Sequence, residues 1–195
     1  NWQAQDEGSD WHASMLDEDF ARSFTQIMNC RGLAFGQKLA KALNPLLENK
    51  KRLLDVGGGS GIYASTMIAA HPHLTGTVME QAPVDTIARE EIASHGLSEK
   101  LEVITADMFK EDWPECDVLL LSNVLHDWDM PEVRKLCEKA ATALSTGGLL
   151  VIHEAFINDE KNGPLPVAEY SALLMNITQG KCYCPNEEIE EQKKR

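Results

Sequence analysis

The run Leu53-Leu54-Asp55-Val56-Gly57-Gly58-Gly59-Ser60-Gly61, a short apolar stretch ending in three consecutive glycines, constrains this chain more than any other feature. The apolar part reads as a buried strand and the glycines as its turn into a nucleotide-binding loop. Glycine adopts backbone angles that other residues resist, and it lets main-chain N–H groups come close to a ligand. The spacing argues against a dinucleotide. In G-x-G-x-x-G counted from Gly57 and Gly59 the third glycine falls on Ile62, whereas here it is Gly61. A nicotinamide-dependent oxidoreductase is set aside on that residue.

Composition fits an enzyme of modest size. The 195 residues are 43% hydrophobic and 25% charged, as expected of one soluble globular domain with a real core. A formal net charge of -13 repels phosphate backbones and anionic lipid, and the only basic runs are Lys50-Lys51-Arg52 and Lys193-Lys194-Arg195. Neither nucleic acid nor membrane is an expected partner. No apolar stretch reaches the roughly 18–20 residues that cross a bilayer, so a cytoplasmic location is expected. Cys30, Cys116, Cys137, Cys182 and Cys184 are odd in number and scattered, which fits reduced thiols. Cys182-Tyr183-Cys184 has too few ligands and the wrong spacing for zinc, and no metal site is expected. The chain begins without methionine and stops in a charged run, so it reads as a piece of something longer.

Along the chain, residues 1–15 read as a loop or linker. From Leu16 to Leu47, helical spacing of Phe20, Phe24, Ile27 and Met28, and again of Leu39, Leu43 and Leu47, predicts two helices broken near Arg31-Gly32. Beyond them short Val/Ile/Leu runs alternate with helical segments, as βαβ units do. Strands are predicted at 52–57, 75–80, 101–106, 116–123 and 148–154, with helices at 61–71, 83–95 and 131–144. Breakers at His71-Pro72, His95-Gly96 and Ser145-Thr146-Gly147-Gly148 end those helices. A late helix is expected from Val167 to about Gln179, and another near Asn186. The expected fold is α/β, with a mostly parallel sheet and helices on both faces.

In an open parallel sheet, ligands bind beyond the carboxyl ends of the strands. The residues there are Gly57 to Gly61, Glu80, Asp107, Ser122 to Asp127, and Glu154. Glu80 lies 21 positions past Gly59, near the offset at which a carboxylate accepts from a ribose diol. Asp107 either accepts from a ligand amino group or caps the turn at Met108-Phe109. His126, in Leu125-His126-Asp127-Trp128-Asp129, ends an apolar run on the cofactor edge, and its ordinary pKa of about 6.5 suits a base near neutrality. Glu154 can accept from its other ring nitrogen and fix the useful tautomer. Strand alternation turns His153 to the opposite face, as a structural residue.

With these elements in place, the run from about Phe20 to Tyr183 resembles the S-adenosylmethionine (SAM)-dependent O-methyltransferases of the caffeic acid and acetylserotonin type. The matching pieces are Leu54 to Gly61, Ala106-Asp107-Met108-Phe109, Asn123-Val124-Leu125-His126-Asp127-Trp128, and Gly147 to Glu154. The resemblance implies a Rossmann-like SAM-binding fold, with Gly57, Gly58, Gly59, Glu80, Asp107, Met108 and Ser122 at cofactor-contact positions, His126 as catalytic base and Glu154 as a flanking acid. It implies no metal, a small hydroxyl-bearing acceptor, and S-adenosylhomocysteine as product. It divides the chain into a helical lead-in over 1–48, capping the substrate side, and a SAM-binding catalytic domain over 49–195. By the same resemblance, the family's N-terminal dimerisation domain and its two further strands are expected to lie outside this stretch of sequence, and the full-length protein is expected to be a homodimer. The chain departs from the family at Glu80, usually Asp, at Ser122, often Lys, and at Cys182, where plant members place a second flanking acid. The alternative reading is a SAM-binding but inactive fragment that needs a partner.

Overall fold

The computed structural model describes residues 11–185. Its elements are α1 (Trp11–Ser14), α2 (Glu18–Leu47), β1 (Arg52–Val56), α3 (Ile62–Ala70), β2 (Thr75–Glu80), α4 (Val84–Ser94), β3 (Leu101–Thr105), β4 (Cys116–Ser122), a 3-10 turn (Leu125–Asp127), α5 (Met130–Ala143), β5 (Leu144–His153) and α6 (Leu165–Ile177). The helix expected near Asn186 lies outside the described residues. Part of the expected N-terminal loop is the single helical turn of α1.

The five strands form one parallel sheet in the order β3-β2-β1-β4-β5. Successive residues of each central strand alternate between two buried layers. Leu53, Val118 and Leu120 pack with α2 and α3, while Leu54, Leu119 and Leu121 pack with α5. Both faces are covered, so the strands read as continuous apolar runs. The chain winds outward from β1 to β3 and then returns to β4, which lies on the other side of β1. The resulting switch point between β1 and β4 opens a crevice at their carboxyl ends.

Two predicted boundaries are corrected. The segment from Glu18 to Leu47 is one 30-residue helix, started by Asp17, whose carboxylate accepts from the Phe20 N–H at 2.9 Å. Gly32 does not break it. A Cβ on Gly32 would stand 2.6 Å from Ile62 Cγ2, and one on Gly36 would collide with the Thr66 hydroxyl. Glycine is present there because α2 and α3 pack backbone to backbone. Gly32→Leu is expected to destabilise the protein by about 1–3 kcal/mol in urea unfolding, whereas Lys41→Ala on the exposed side stays within about 0.5 kcal/mol. Equal effects would contradict this packing. Secondly, Ser145 to Gly148 do not merely end a helix but belong to β5. Leu144 pairs with Cys116, and the register shifts between Cys116 and Val118 to accommodate the glycines. Ser145 Oγ, donating to Asp117 at 3.1 Å, and Lys50 Nζ, donating to the Gly147 carbonyl at 2.6 Å, fix this segment.

Candidate active site

The glycine loop leaves β1 in the left-handed region, with φ of 63° at Gly57 and 57° at Gly59. A side chain at either position would be strained. A Cβ on Gly58 would lie 2.7 Å from the carboxyl carbon of Asp55, whereas one on Gly59 would meet nothing within 4 Å. The loop is thus closed toward the protein at Gly58 and open toward the crevice at Gly59. From Gly61 the chain enters α3, whose N-terminal N–H groups face the loop.

Beneath the loop, Asp55 is fully buried, and neither carboxylate oxygen has a hydrogen-bond partner of ordinary geometry. Burial first, and the charge of Glu80 second, push its pKa up to about 7; the backbone N–H of Ala64 gives only partial relief. Glu80 accepts from the Gly59 N–H at 2.9 Å and the Gln81 N–H at 2.8 Å. Burial likewise raises it to about 7, against those two N–H groups. Both carboxyls hold protons in the folded state to a higher pH than in the unfolded chain. Stability therefore falls as pH rises from about 4 to about 7. Asp55→Asn removes part of that loss, and a gain of about 2 kcal/mol is expected at pH 8, vanishing near pH 4. Thermal unfolding at the two pH values checks it, and a pH-independent difference would contradict it.

The remaining cofactor candidates fall in two places. Asp107 caps its own turn, accepting from the Phe109 N–H at 2.9 Å and pairing with Lys110 at 2.8 Å. This is the capping contact that was the alternative to the ligand role expected of it. Burial works to raise its pKa, but the Lys110 contact and the Phe109 N–H outweigh that and hold it below the usual range. The Met108 sulfur lies 3.9 Å from the position of a Cβ on Gly57, so Met108 and the loop share one edge. Ser122 is buried, with its hydroxyl 2.9 Å from His153 Nδ1. The His153 ring packs tilted against Tyr63 of α3 at 5.1 Å.

His126 stands on the 3-10 turn just past β4. Val124, two residues earlier, lies 3.1 Å from the Cβ position of Gly57, which brings the turn that carries this imidazole to the same edge as the loop. His126 Nδ1 is 2.5 Å from Glu154 Oε2. The other oxygen of Glu154 accepts from the N–H groups of Val124 and Leu125 at 2.8 and 2.9 Å, so one carboxylate fixes both the ring and its turn. With Nδ1 donating to the carboxylate, Nε2 carries the lone pair. Burial alone would lower the imidazole pKa, but the Glu154 hydrogen bond and charge, helped by Asp127, leave it above its ordinary value. The ring is buried but lies outside the sheet core. Its Nε2 faces the Tyr170 hydroxyl at 3.2 Å and Asp127 Oδ1 at 3.6 Å.

Sequence reading did not foresee Tyr170 or Asp55 as members of this site, although Asp55 stands inside the glycine motif; Asp127 fell among the strand-end candidates without a role of its own. The expected stripe of Phe20, Phe24 and Met28 is not a core stripe. Phe20 is 42% exposed, and α2 buries Ala21, Thr25, Gly32, Gly36 and Ala40 instead. Met175 on α6 is 65% exposed. A groove of about 580 Å³ runs along α2 and α3 toward His95, and none of Gly57, Glu80, His126 and Glu154 lines it. Among the described residues, no three or more His, Cys, Asp or Glu side chains group as a metal site, no helix is long and apolar enough to cross a membrane, and Cys30, Cys116, Cys182 and Cys184 are free thiols.

A nucleotide-type loop and a carboxylate-held histidine at the switch point of a parallel sheet define an α/β group-transfer enzyme fold. The chain belongs to the O-methyltransferase domain family, whose model matches residues 3–191. The 3-hydroxy-5-methyl-1-naphthoate 3-O-methyltransferase of Streptomyces sahachiroi is 37% identical over 138 residues, 70% of this chain and 40% of that protein. An O-methyltransferase family 2 protein from Planctomyces limnophilus, solved in complex with apigenin, superposes with a TM-score of 0.78 at 34% identity over 89% of this chain and 54% of that one. Human N-acetylserotonin methyltransferase, solved in complex with SAM, shares the fold with a TM-score of 0.86 at 23% identity, over 97% of this chain and 54% of that one. The chain spans about half the length of the relatives it matches.

Proposed function

We propose that this chain transfers a methyl group from SAM to a hydroxyl of a small aromatic molecule, with His126 as general base and without a metal. The observation that carries the reading is the Glu154-His126 pair at 2.5 Å, on the turn whose neighbour Val124 lies 3.1 Å from the Cβ position of Gly57. The residues suit the cofactor. Gly57, Gly58 and Gly59 leave an open cradle at the head of α3, and Glu80 suits a ribose diol. Met108 and Asp107 flank the adenine side, with Ser122 further along the edge. When bound, SAM supplies an electrophilic methyl on a sulfonium.

His126 holds the acceptor hydroxyl through Nε2 and takes its proton as the oxygen gains the methyl; the sulfur keeps the electron pair of the broken bond. Phenols are mostly protonated at pH 7, so this assistance is worth about 10²–10⁴ in rate. Glu154 keeps Nδ1 protonated and stabilises the imidazolium that forms. Cys182 lies where plant members have a second acid, and Asp127, 3.6 Å from Nε2, supplies a carboxylate from the base's own turn. The lead-in over 1–48 serves as the cap on the acceptor side, the catalytic domain occupies 49–195, and the full-length protein is a cytoplasmic homodimer; these three assignments follow the family resemblance.

The test is methyl transfer from labelled SAM to a panel of phenols, with SAM binding measured in parallel. Transfer to at least one phenol is expected. Binding with no transfer to any would overturn this reading in favour of an inactive SAM-binding module.

A further inference from the structure

The short turn that carries His126 is weakly held by its own backbone. Its hydrogen bonds, from the Asp127 N–H to the Val124 carbonyl at 3.3 Å and from the Trp128 N–H to the Leu125 carbonyl at 3.2 Å, are longer than the usual value of about 2.9–3.0 Å. A helix of one turn also leaves N–H groups unsatisfied at its start and carbonyls unsatisfied at its end. Glu154 takes the N–H groups of Val124 and Leu125. The carbonyls are taken by the segment that follows α6. The Gln179 N–H donates to the Asp127 carbonyl at 3.2 Å, and the Tyr183 hydroxyl donates to the Trp128 carbonyl at 2.6 Å.

Between those two bonds Gly180 lies directly on the turn. A Cβ there would collide with the His126 carbonyl oxygen and stand 2.5 Å and 2.7 Å from the carbonyl oxygen and the nitrogen of Trp128. All three are backbone atoms, so no change of rotamer relieves the clash. The segment is itself tied back to the fold. The Cys182 N–H donates to Ser171 Oγ at 3.1 Å, and the Ile157 N–H donates to the Tyr183 carbonyl at 3.1 Å.

We propose that residues 179–183 form a strap that positions the base, with Gly180 and Tyr183 as the positioning residues that hold the turn of His126 against Glu154. This rests on the methyl-transfer reading for the role of His126 and adds residues that the mechanism above does not use. The contact they guard is the 2.5 Å approach of Nδ1 to Glu154. That distance leaves no room for a closer one, so a displaced turn can only lengthen it. Asp127 from the same turn and the Tyr170 hydroxyl from α6 also face the ring. Glu154 and Asp127 favour the protonated imidazole, whereas burial and the charge of Arg31 oppose it.

The test is the titration of His126, followed by NMR of the labelled imidazole in wild type, Gly180→Ala and Tyr183→Phe. Methyl transfer to a phenol and binding of S-adenosylhomocysteine are measured on the same proteins. Tyr183→Phe keeps the buried ring and removes only the hydroxyl, so it decides the matter if Gly180→Ala does not fold. In each folded variant His126 is expected to titrate at a pH lower by about 0.5 or more, because Glu154 recedes and burial prevails. With it kcat should fall by about tenfold in Gly180→Ala and about threefold in Tyr183→Phe, while S-adenosylhomocysteine affinity stays within about twofold. A titration unchanged in every variant that folds overturns the strap, even where stability is lost, since a merely structural contact would leave the imidazole as it was. Failure of the broader reading looks different: the titration moves as expected, but wild type shows no His126-dependent transfer.

Discussion

His126→Ala is expected to lower kcat on a phenolic acceptor by about 10²–10⁴ while SAM affinity stays within about twofold of wild type. The split follows from the site. The ring's polar atoms face Glu154, Tyr170 and Asp127, whereas the proposed cofactor cradle is the loop after β1, with Glu80 bonded to it. Steady-state kinetics with calorimetric SAM titration checks both halves. Equal loss of kcat and of SAM affinity would show that the substitution had collapsed the turn.

Glu154→Gln has the second largest expected effect, because a single carboxylate serves the ring through one oxygen and two backbone N–H groups through the other. The amide retains much of the shape but not the charge. A fall of about 10- to 100-fold in kcat is expected. The pH profile should move as well. Burial depresses His126 and Glu154 more than reverses this, so in wild type the acid limb of kcat/KM lies above the ordinary histidine value. Without that carboxylate the burial effect dominates, and the limb moves to lower pH. A limb that moves upward, or not at all, would deny Glu154 its role in tuning the base.

Much of this was legible in the sequence because the signals were local. Leu53 to Val56, Val118 to Leu121 and Leu149 to Ile152 are continuous apolar runs, and a strand buried on both faces must read that way. Glycines after one strand and a histidine after another then fall on the same edge by topology alone. Misreadings arose where tertiary contact overrode local preference. Gly32 looks like a helix breaker until Ile62 is seen against it, and Ser145 to Gly148 look like a helix stop until Cys116 is seen pairing with Leu144. Tyr170 was out of reach for another reason. It lies 44 positions from His126, on a helix whose apolar pattern says nothing about which face meets the base. Asp127 was visible beside the histidine, but only the 3-10 turn, which curls the chain back, brings its carboxylate toward Nε2.

The structure of the protein bound to S-adenosylhomocysteine tests the central claim most directly. Its sulfur should lie in the crevice between β1 and β4 and look toward Nε2 of His126, with the ribose hydroxyls on Glu80. A sulfur on the far side of the Gly57 loop, or a ligand seated where the imidazole cannot be reached from it, would contradict the account.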